Sequence, residues 1–214
     1  MSRYNDDDEQ LQALKAWWQK NGTWLLSGVL VVVVAWSGWT YWQNHQLSKA
    51  MQGSAMFELV QAQAQQDQIG EILRDAKQFL AEQPESPYAT GIALILGKHY
   101  FDQAAYDDAL AQYDWVIRHS PDASLSLVAS LRSAKVALQQ GNPASAQAYL
   151  DAVSLKALAP EEKANYHFMA GEVAMAQQAP DQARTHYESV LSVTGLPDGL
   201  KNLTRLKLSD LAGN

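Results

Sequence analysis

The chain has 214 residues, no cysteine, and 16 Lys and Arg against 23 Asp and Glu, for a formal net charge of −7. The missing cysteines exclude disulfides, thiolate catalysis and Cys-based metal sites, and the acidic balance argues against nucleic acid or anionic lipid headgroups as partners. The length suffices for one domain of ordinary size beside an N-terminal segment.

Residues 1–22 read as a leader. Asp6, Asp7, Asp8 and Glu9 precede Leu11, Leu14, Trp17 and Trp18, with Lys15 and Lys20 late and Asn21-Gly22 as a stop. This order predicts a short amphipathic helix whose charges suit its dipole and which lies along a membrane surface.

Between Lys20 and Lys49 the chain carries no formal charge for 28 positions, and six of its seven tryptophans fall in or beside that gap. Residues 23–42, as a helix, match a bilayer's hydrocarbon core of roughly 30 Å. The β-branched centre, Val29 to Ala35, favours a strand in water, but in lipid only intra-segment hydrogen bonding satisfies the backbone. Trp17, Trp18 and Trp24 gather at one end and Trp36, Trp39 and Trp42 at the other, as interfacial rings do. A buried core helix and a cleaved signal peptide, with Ala35-Trp36-Ser37 as its cut, are the competing readings. Against the signal peptide stand the long acidic leader and the apolarity that continues to Trp42. Arg3, Lys15 and Lys20 precede the span and only Lys49 follows closely, so the N-terminus is expected in the cytoplasm. The part beyond the span holds 13 Lys and Arg against 19 Asp and Glu, a net of −6.

Residues 43–66 predict a junction helix, with Leu47, Met51, Ala55 and Leu59 on one stripe and Gly53 as the place for a bend. Beyond it, over 67–199, the chain repeats. A shift of 37 residues aligns Gly97 with Ala134 and Gly171, Ala109 with Ala146 and Ala183, Tyr113 with Leu150 and Tyr187, and Val116 with Val153 and Val190. A period of this length predicts an all-α fold, a tetratricopeptide-like α-solenoid with units at about 90–126, 127–163 and 164–199. A worn unit precedes them, with Ile72, Leu73, Ala76, Phe79 and Leu80 ahead of Pro84. Gly141-Asn142-Pro143 and Ala179-Pro180-Asp181 read as the turns between paired helices. Residues 200–214, with Leu200, Leu203, Leu208 and Leu211, predict a capping helix.

No catalytic constellation is present: no G-x-S-x-G elbow, no phosphate-binding glycine loop and no H-E-x-x-H zinc helix. His99, His119, His167 and His186 read as surface or packing residues, the pair His167 and His186 being a conceivable metal pair on different helices. Asp107-Asp108 and Glu161-Glu162 sit at helix starts and read as caps. We therefore expect no enzyme, no cofactor and no metal. What a tetratricopeptide array offers instead is a groove lined by the first helix of each pair. Its residues are expected at Leu94, Lys98 and Phe101, at Leu131, Lys135 and Leu138, and at Phe168, Glu172 and Met175, unless some of them pack on the junction helix or the cap.

The acidic leader ending in Leu11 to Gly22, the span closing with Gly38-Trp39-Thr40-Tyr41-Trp42-Gln43-Asn44-His45-Gln46, and the degenerate repeats resemble the YfgM family of Gram-negative bacteria. The resemblance covers the full length, and its distinctive parts are the leader and the run from Gly38 to Gln46. It implies a single-span inner-membrane protein with its domain in the periplasm. It further implies an ancillary subunit of the SecYEG translocon that works beside the membrane-anchored chaperone PpiD on exported envelope proteins, with unfolded exported chains as further candidate partners. A regulatory adaptor acting through the cytosolic leader, and an envelope enzyme with an unrecognised site, are the alternatives.

Overall fold

The structure, a computed structural model, describes residues 3–212; the side chains of residues 3–10, 13 and 157, and with them the acidic run Asp6 to Glu9, lie outside the described ones. Among the described residues there are nine α-helices and no strand, so the chain is all-α. It divides into two compact units, the first ending at Gln52 and the second beginning at Gly53.

The described residues of the first unit belong to helix α1 (Arg3–Gln65). From Leu14 to Gln65 this helix is long and apolar enough to cross a membrane by length and composition. The expected stop at Asn21-Gly22 does not end it. Asn21 Nδ2 donates to the Trp17 carbonyl at 3.1 Å, and the Trp18 indole lies over Gly22, so both residues are accommodated within the helix. The polar side chains of the apolar stretch are satisfied the same way: the Ser27 and Thr40 hydroxyls donate to the carbonyls of Thr23 and Trp36 at 2.8 and 2.9 Å. Such local bonds let a hydroxyl reside where no water reaches it. The framing rings point outward, Trp24 being 86% and Trp36 74% exposed.

The second unit strings short helices into hairpins: α2 (Leu73–Glu82), α3 (Ala89–Asp102) with α4 (Tyr106–His119), α5 (Ala123–Gln139) with α6 (Pro143–Asp151), α7 (Pro160–Ala176) with α8 (Pro180–Leu191), and α9 (Asp198–Ala212). Each pair packs internally, and α5 packs on α4, α7 on α5, and α9 on α8. Helix starts are written in the sequence. Asp122 and Asn142 accept the amides of Ser124 and Ser145 at 2.8 and 3.0 Å, and Pro143, Pro160 and Pro180 open their helices.

The helix ends follow one recipe used four times. Asp67, Ala104, Gly141 and Gln178 take left-handed backbone, with φ of 57°, 56°, 72° and 61°. After each, the next amide reaches back to the same carbonyl: Gln68 to Gln63, Ala105 to Tyr100, Asn142 to Ala137 and Ala179 to Ala174, each at 2.9 Å. This is the Schellman motif, which closes a helix by bonding its last free carbonyls. The first of the four ends α1, whose Val60 shares a core cluster with Phe79 and Leu80 of α2 ahead of the three complete pairs.

Between paired helices the buried residues are matched in size. A Cβ on Gly97 would lie 2.4 Å from the Tyr113 ring, and one on Gly171 would lie 2.4 Å from the Tyr187 ring. In the middle pair Ala134 and Leu150 share a core cluster, both 0% exposed. Gly53, expected as a bend, lies within the helix; its lack of a Cβ leaves room for Ser86 and Tyr88, either of which would stand 2.8 Å from that atom. In α9, Leu200, Leu208 and Leu211 pack inward as expected. Leu203 is instead 43% exposed, and the buried position beside it is Thr204, whose hydroxyl bonds the Leu200 carbonyl at 2.7 Å.

Two outcomes follow for stability. Because L-residues in the left-handed region are strained by about 1–2 kcal/mol and glycine costs about 0.5–1 kcal/mol of chain entropy, Ala104→Gly and Gln178→Gly should each raise the unfolding free energy by up to about 1 kcal/mol, and Gly141→Ala should lower it. Gly97→Ala and Gly171→Ala should each cost about 1–3 kcal/mol through overpacking against the tyrosine ring, whereas Gly199→Ala, with nothing within 4 Å of its new methyl, should not. Denaturant titration of the full-length chain in detergent, followed by circular dichroism, reads both series.

Candidate interaction groove

The first helices of successive pairs, α3 and α5, enclose a notch of about 300 Å³ lined by Lys98, Phe101, Asp102, Tyr113, Arg132 and Lys135. Three of the nine groove residues expected from the sequence, Lys98, Phe101 and Lys135, therefore meet in one place. The Lys135 ammonium stands 5.2 Å from the centre of the Phe101 ring, a cation–π contact. Lys98 is ion-paired with Asp102 one turn along α3. Arg132 donates through Nη1 to the Leu94 carbonyl at 3.2 Å and lies 5.9 Å from the centre of the Tyr113 ring. Burial raises the Tyr113 pKa, a shift that the adjoining Arg132 guanidinium only partly offsets. Arg132 was not expected from the sequence, and Tyr113 was expected as a repeat position but not in the groove, because neither stands at a groove position of its own helix. The signal for both is the glycine at 97, which admits the tyrosine ring and so carries its hydroxyl to the arginine.

The remaining groove residues divide. Leu94 is 8% exposed and belongs to the core. Leu131 and Leu138 are half-buried against the middle cluster. Phe168 packs on the Tyr187 ring at 5.9 Å between centres and touches the clusters that hold Leu200, Leu208 and Leu211. Glu172 accepts the Tyr187 hydroxyl at 2.5 Å and the Lys207 ammonium of α9 at 2.8 Å. That hydroxyl bond adds to burial, the larger effect, in pushing the Tyr187 pKa strongly upward. Met175 is left 41% exposed. In the third pair α9 thus follows α8 as α5 follows α4, and it covers Phe168 and Glu172 while Met175 stays open.

A second concavity, about 500 Å³, lies between α4 and α6 and is lined by Asp114, Ile117, Arg118, Ser130, Ser145, Ala148, Tyr149 and Ala152. Burial, and then the Asp114 carboxylate that accepts its hydroxyl, push the Tyr149 pKa up to about 12. Elsewhere Glu162 bonds the Ala159 amide at 2.7 Å, a capping role as expected for the acids at this helix start; bonds from Ser124 and from that amide hold its pKa low. His167 and His186 come together with Nδ1 atoms 3.2 Å apart. Among the described residues no group of three or more His, Cys, Asp or Glu side chains is placed to hold a metal ion.

This array of hairpins with an open notch between first helices is the architecture of a tetratricopeptide protein, and the chain belongs to the tetratricopeptide repeat-like domain family, whose model matches residues 15–213. Its relatives narrow the comparison. It is 26% identical to the "Ancillary SecYEG translocon subunit" of Escherichia coli strain K12, over 99% of this chain and 100% of that one. It is 26% identical to the protein of the same name from Neisseria gonorrhoeae, over 99% and 100%, and 24% identical to that from Haemophilus influenzae, over 86% and 87%. These relatives bear out the family resemblance carried by the leader and the Gly38 to Gln46 run. No solved structure matches the chain significantly.

Glu172 gives a direct check on how α9 is held. Glu172→Ala strands the half-buried Lys207 ammonium and the Tyr187 hydroxyl, and should cost about 1–3 kcal/mol in chemical denaturation. Lys207→Met removes the charge and should cost less.

Proposed function

We propose that this chain is an adaptor and not an enzyme: a membrane-anchored protein-interaction module that serves as an ancillary subunit of the Sec translocon. The notch between α3 and α5 carries the reading. It presents an aromatic ring and two cationic side chains, Arg132 and Lys135, that enter no ion pair among the described residues. Such a surface fits a short peptide segment or a partner's loop, and nothing beside it assembles a nucleophile with a base.

The relatives' name supplies the setting, and their similarity over nearly the whole chain supports applying it here. In this setting α1 spans the bacterial inner membrane, the leader stays in the cytoplasm and the repeat domain stands in the periplasm, an orientation supported by Lys and Arg ahead of the span. The domain would then meet SecYEG and, by the family resemblance, the chaperone PpiD and the exported envelope proteins that it handles. In the apolar helix, the tryptophans Trp17, Trp18, Trp24, Trp36, Trp39 and Trp42 are the interfacial belts.

A photo-crosslinking residue at Phe101 or Leu138 of the full-length protein in its membrane should capture translocon subunits, a membrane-anchored chaperone or nascent exported chains. The same residue at Ala111, on the exposed side of α4, should not. Equal capture from all three positions, or none from any, would overturn the reading.

A further inference from the structure

We propose that His167 of α7 and His186 of α8 form a two-histidine site for a late first-row divalent cation, Cu²⁺, Ni²⁺ or Zn²⁺, which staples the two helices of the third pair. Their Nδ1 atoms stand 3.2 Å apart, with ring centres 5.5 Å apart and planes tilted by 31°. Two imidazole nitrogens on one tetrahedral ion, each bound at about 2.0–2.1 Å, lie roughly 3.4 Å from each other. The ring centres lie nearly on the line through the two nitrogens, so each ring has to turn by roughly 35° to aim its lone pair at a shared tetrahedral ion beside that line.

Three further features suit the site to a metal. Both imidazoles are half-buried, and burial lowers both pKa values, so each ring is neutral at neutral pH and no proton has to be displaced. One Nδ1 now donates to the other; taking up the ion requires only that this ring move its proton to Nε2, with no net release. The pair is also anchored on both sides. Gly171 and Ala183 are buried at the α7–α8 contact one turn from the two histidines, and Tyr166 stands edge-on to the His167 ring at 5.5 Å between centres. The protein supplies two ligands and leaves the other positions to water or to a donor from a bound partner. Nitrogen-only ligation of this kind favours Cu²⁺ over Ni²⁺ and Zn²⁺ and gives no purchase to Mg²⁺.

A binding partner is not needed for this site, so it stands or falls apart from the translocon reading. The test uses the full-length chain in detergent, first stripped with a chelator. Cu²⁺, Ni²⁺ and Zn²⁺ should each raise the melting temperature, Cu²⁺ at the lowest concentration, and Mg²⁺ should not. His167→Gln and His186→Gln should each weaken the apparent affinity at least about tenfold, while His119→Gln should leave it unchanged. Because a variant that melts poorly obscures its own shift, the Cu²⁺-loaded wild type is examined directly by electron paramagnetic resonance. Its hyperfine pattern should show two equivalent nitrogens that disappear in either variant. Shifts of the same size in wild type and both variants, or a copper spectrum without the two-nitrogen pattern, would overturn the site.

Discussion

The repeat domain depends on a single reverse turn. A helical hairpin cannot bury both faces alone; it must present one to the next hairpin, so every pair has to leave its turn at the same angle. The left-handed residues Asp67, Ala104, Gly141 and Gln178 impose that angle, each followed by the same amide-to-carbonyl closure. Only one of the four is glycine. Three non-glycine residues hold backbone they adopt reluctantly because stacked neighbours leave the chain no other route. The strain is small against the apolar surface each stacked pair removes from water, and so it persists.

The same stacking explains the notch. Where α3 carries Gly97, the Tyr113 ring lies directly on its backbone, and the ring's polar end meets Arg132 on the following helix. Arg132 in turn is fixed by the Leu94 carbonyl, which leaves Lys135 free to rest on Phe101. The third pair repeats the first half of this arrangement, with Gly171 under Tyr187, but there the tyrosine hydroxyl meets Glu172 and α9 supplies Lys207. One packing rule yields an open cationic notch at one end and a closed ion pair at the other. The difference lies in what meets the tyrosine hydroxyl, Arg132 of α5 in the first pair and Glu172, paired with Lys207 of α9, in the third.

Much of this was legible in the sequence. Small residues at 97, 134 and 171, with large ones at 113 and 187, announced close helix pairs, because only a missing side chain lets a ring approach a backbone. Asn142 with Pro143, and Pro180, marked helix starts whose mechanism is local. The turn after Gln178 was marked by Ala179-Pro180-Asp181, but the left-handed backbone at Ala104 and Gln178 was not, since alanine and glutamine advertise none. Nor could spacing show how the groove divides. Leu94, Phe168 and Glu172 sit on the expected helices, but what covers them is the core or α9, and residues far along the chain decide that. The pairing of His167 and His186 could be raised from the sequence but not decided there, because a separation of 19 fixes no distance until the angle between α7 and α8 is known.

The size of the notch bears on why such a domain would be tethered. A cavity of about 300 Å³ holds a side chain or two of a peptide, and a contact that small, after the cost of immobilising the segment, binds weakly when both partners diffuse freely. Holding the domain at the same membrane as its partner converts that encounter into a nearly intramolecular one, with effective concentrations that reach the millimolar range for short tethers. A weak notch then suffices, and under the proposed function weakness is useful, because a surface that releases one bound segment for the next cannot grip any of them tightly. In the proposed setting the apolar helix does more than localise the domain; it sets the concentration at which the notch works.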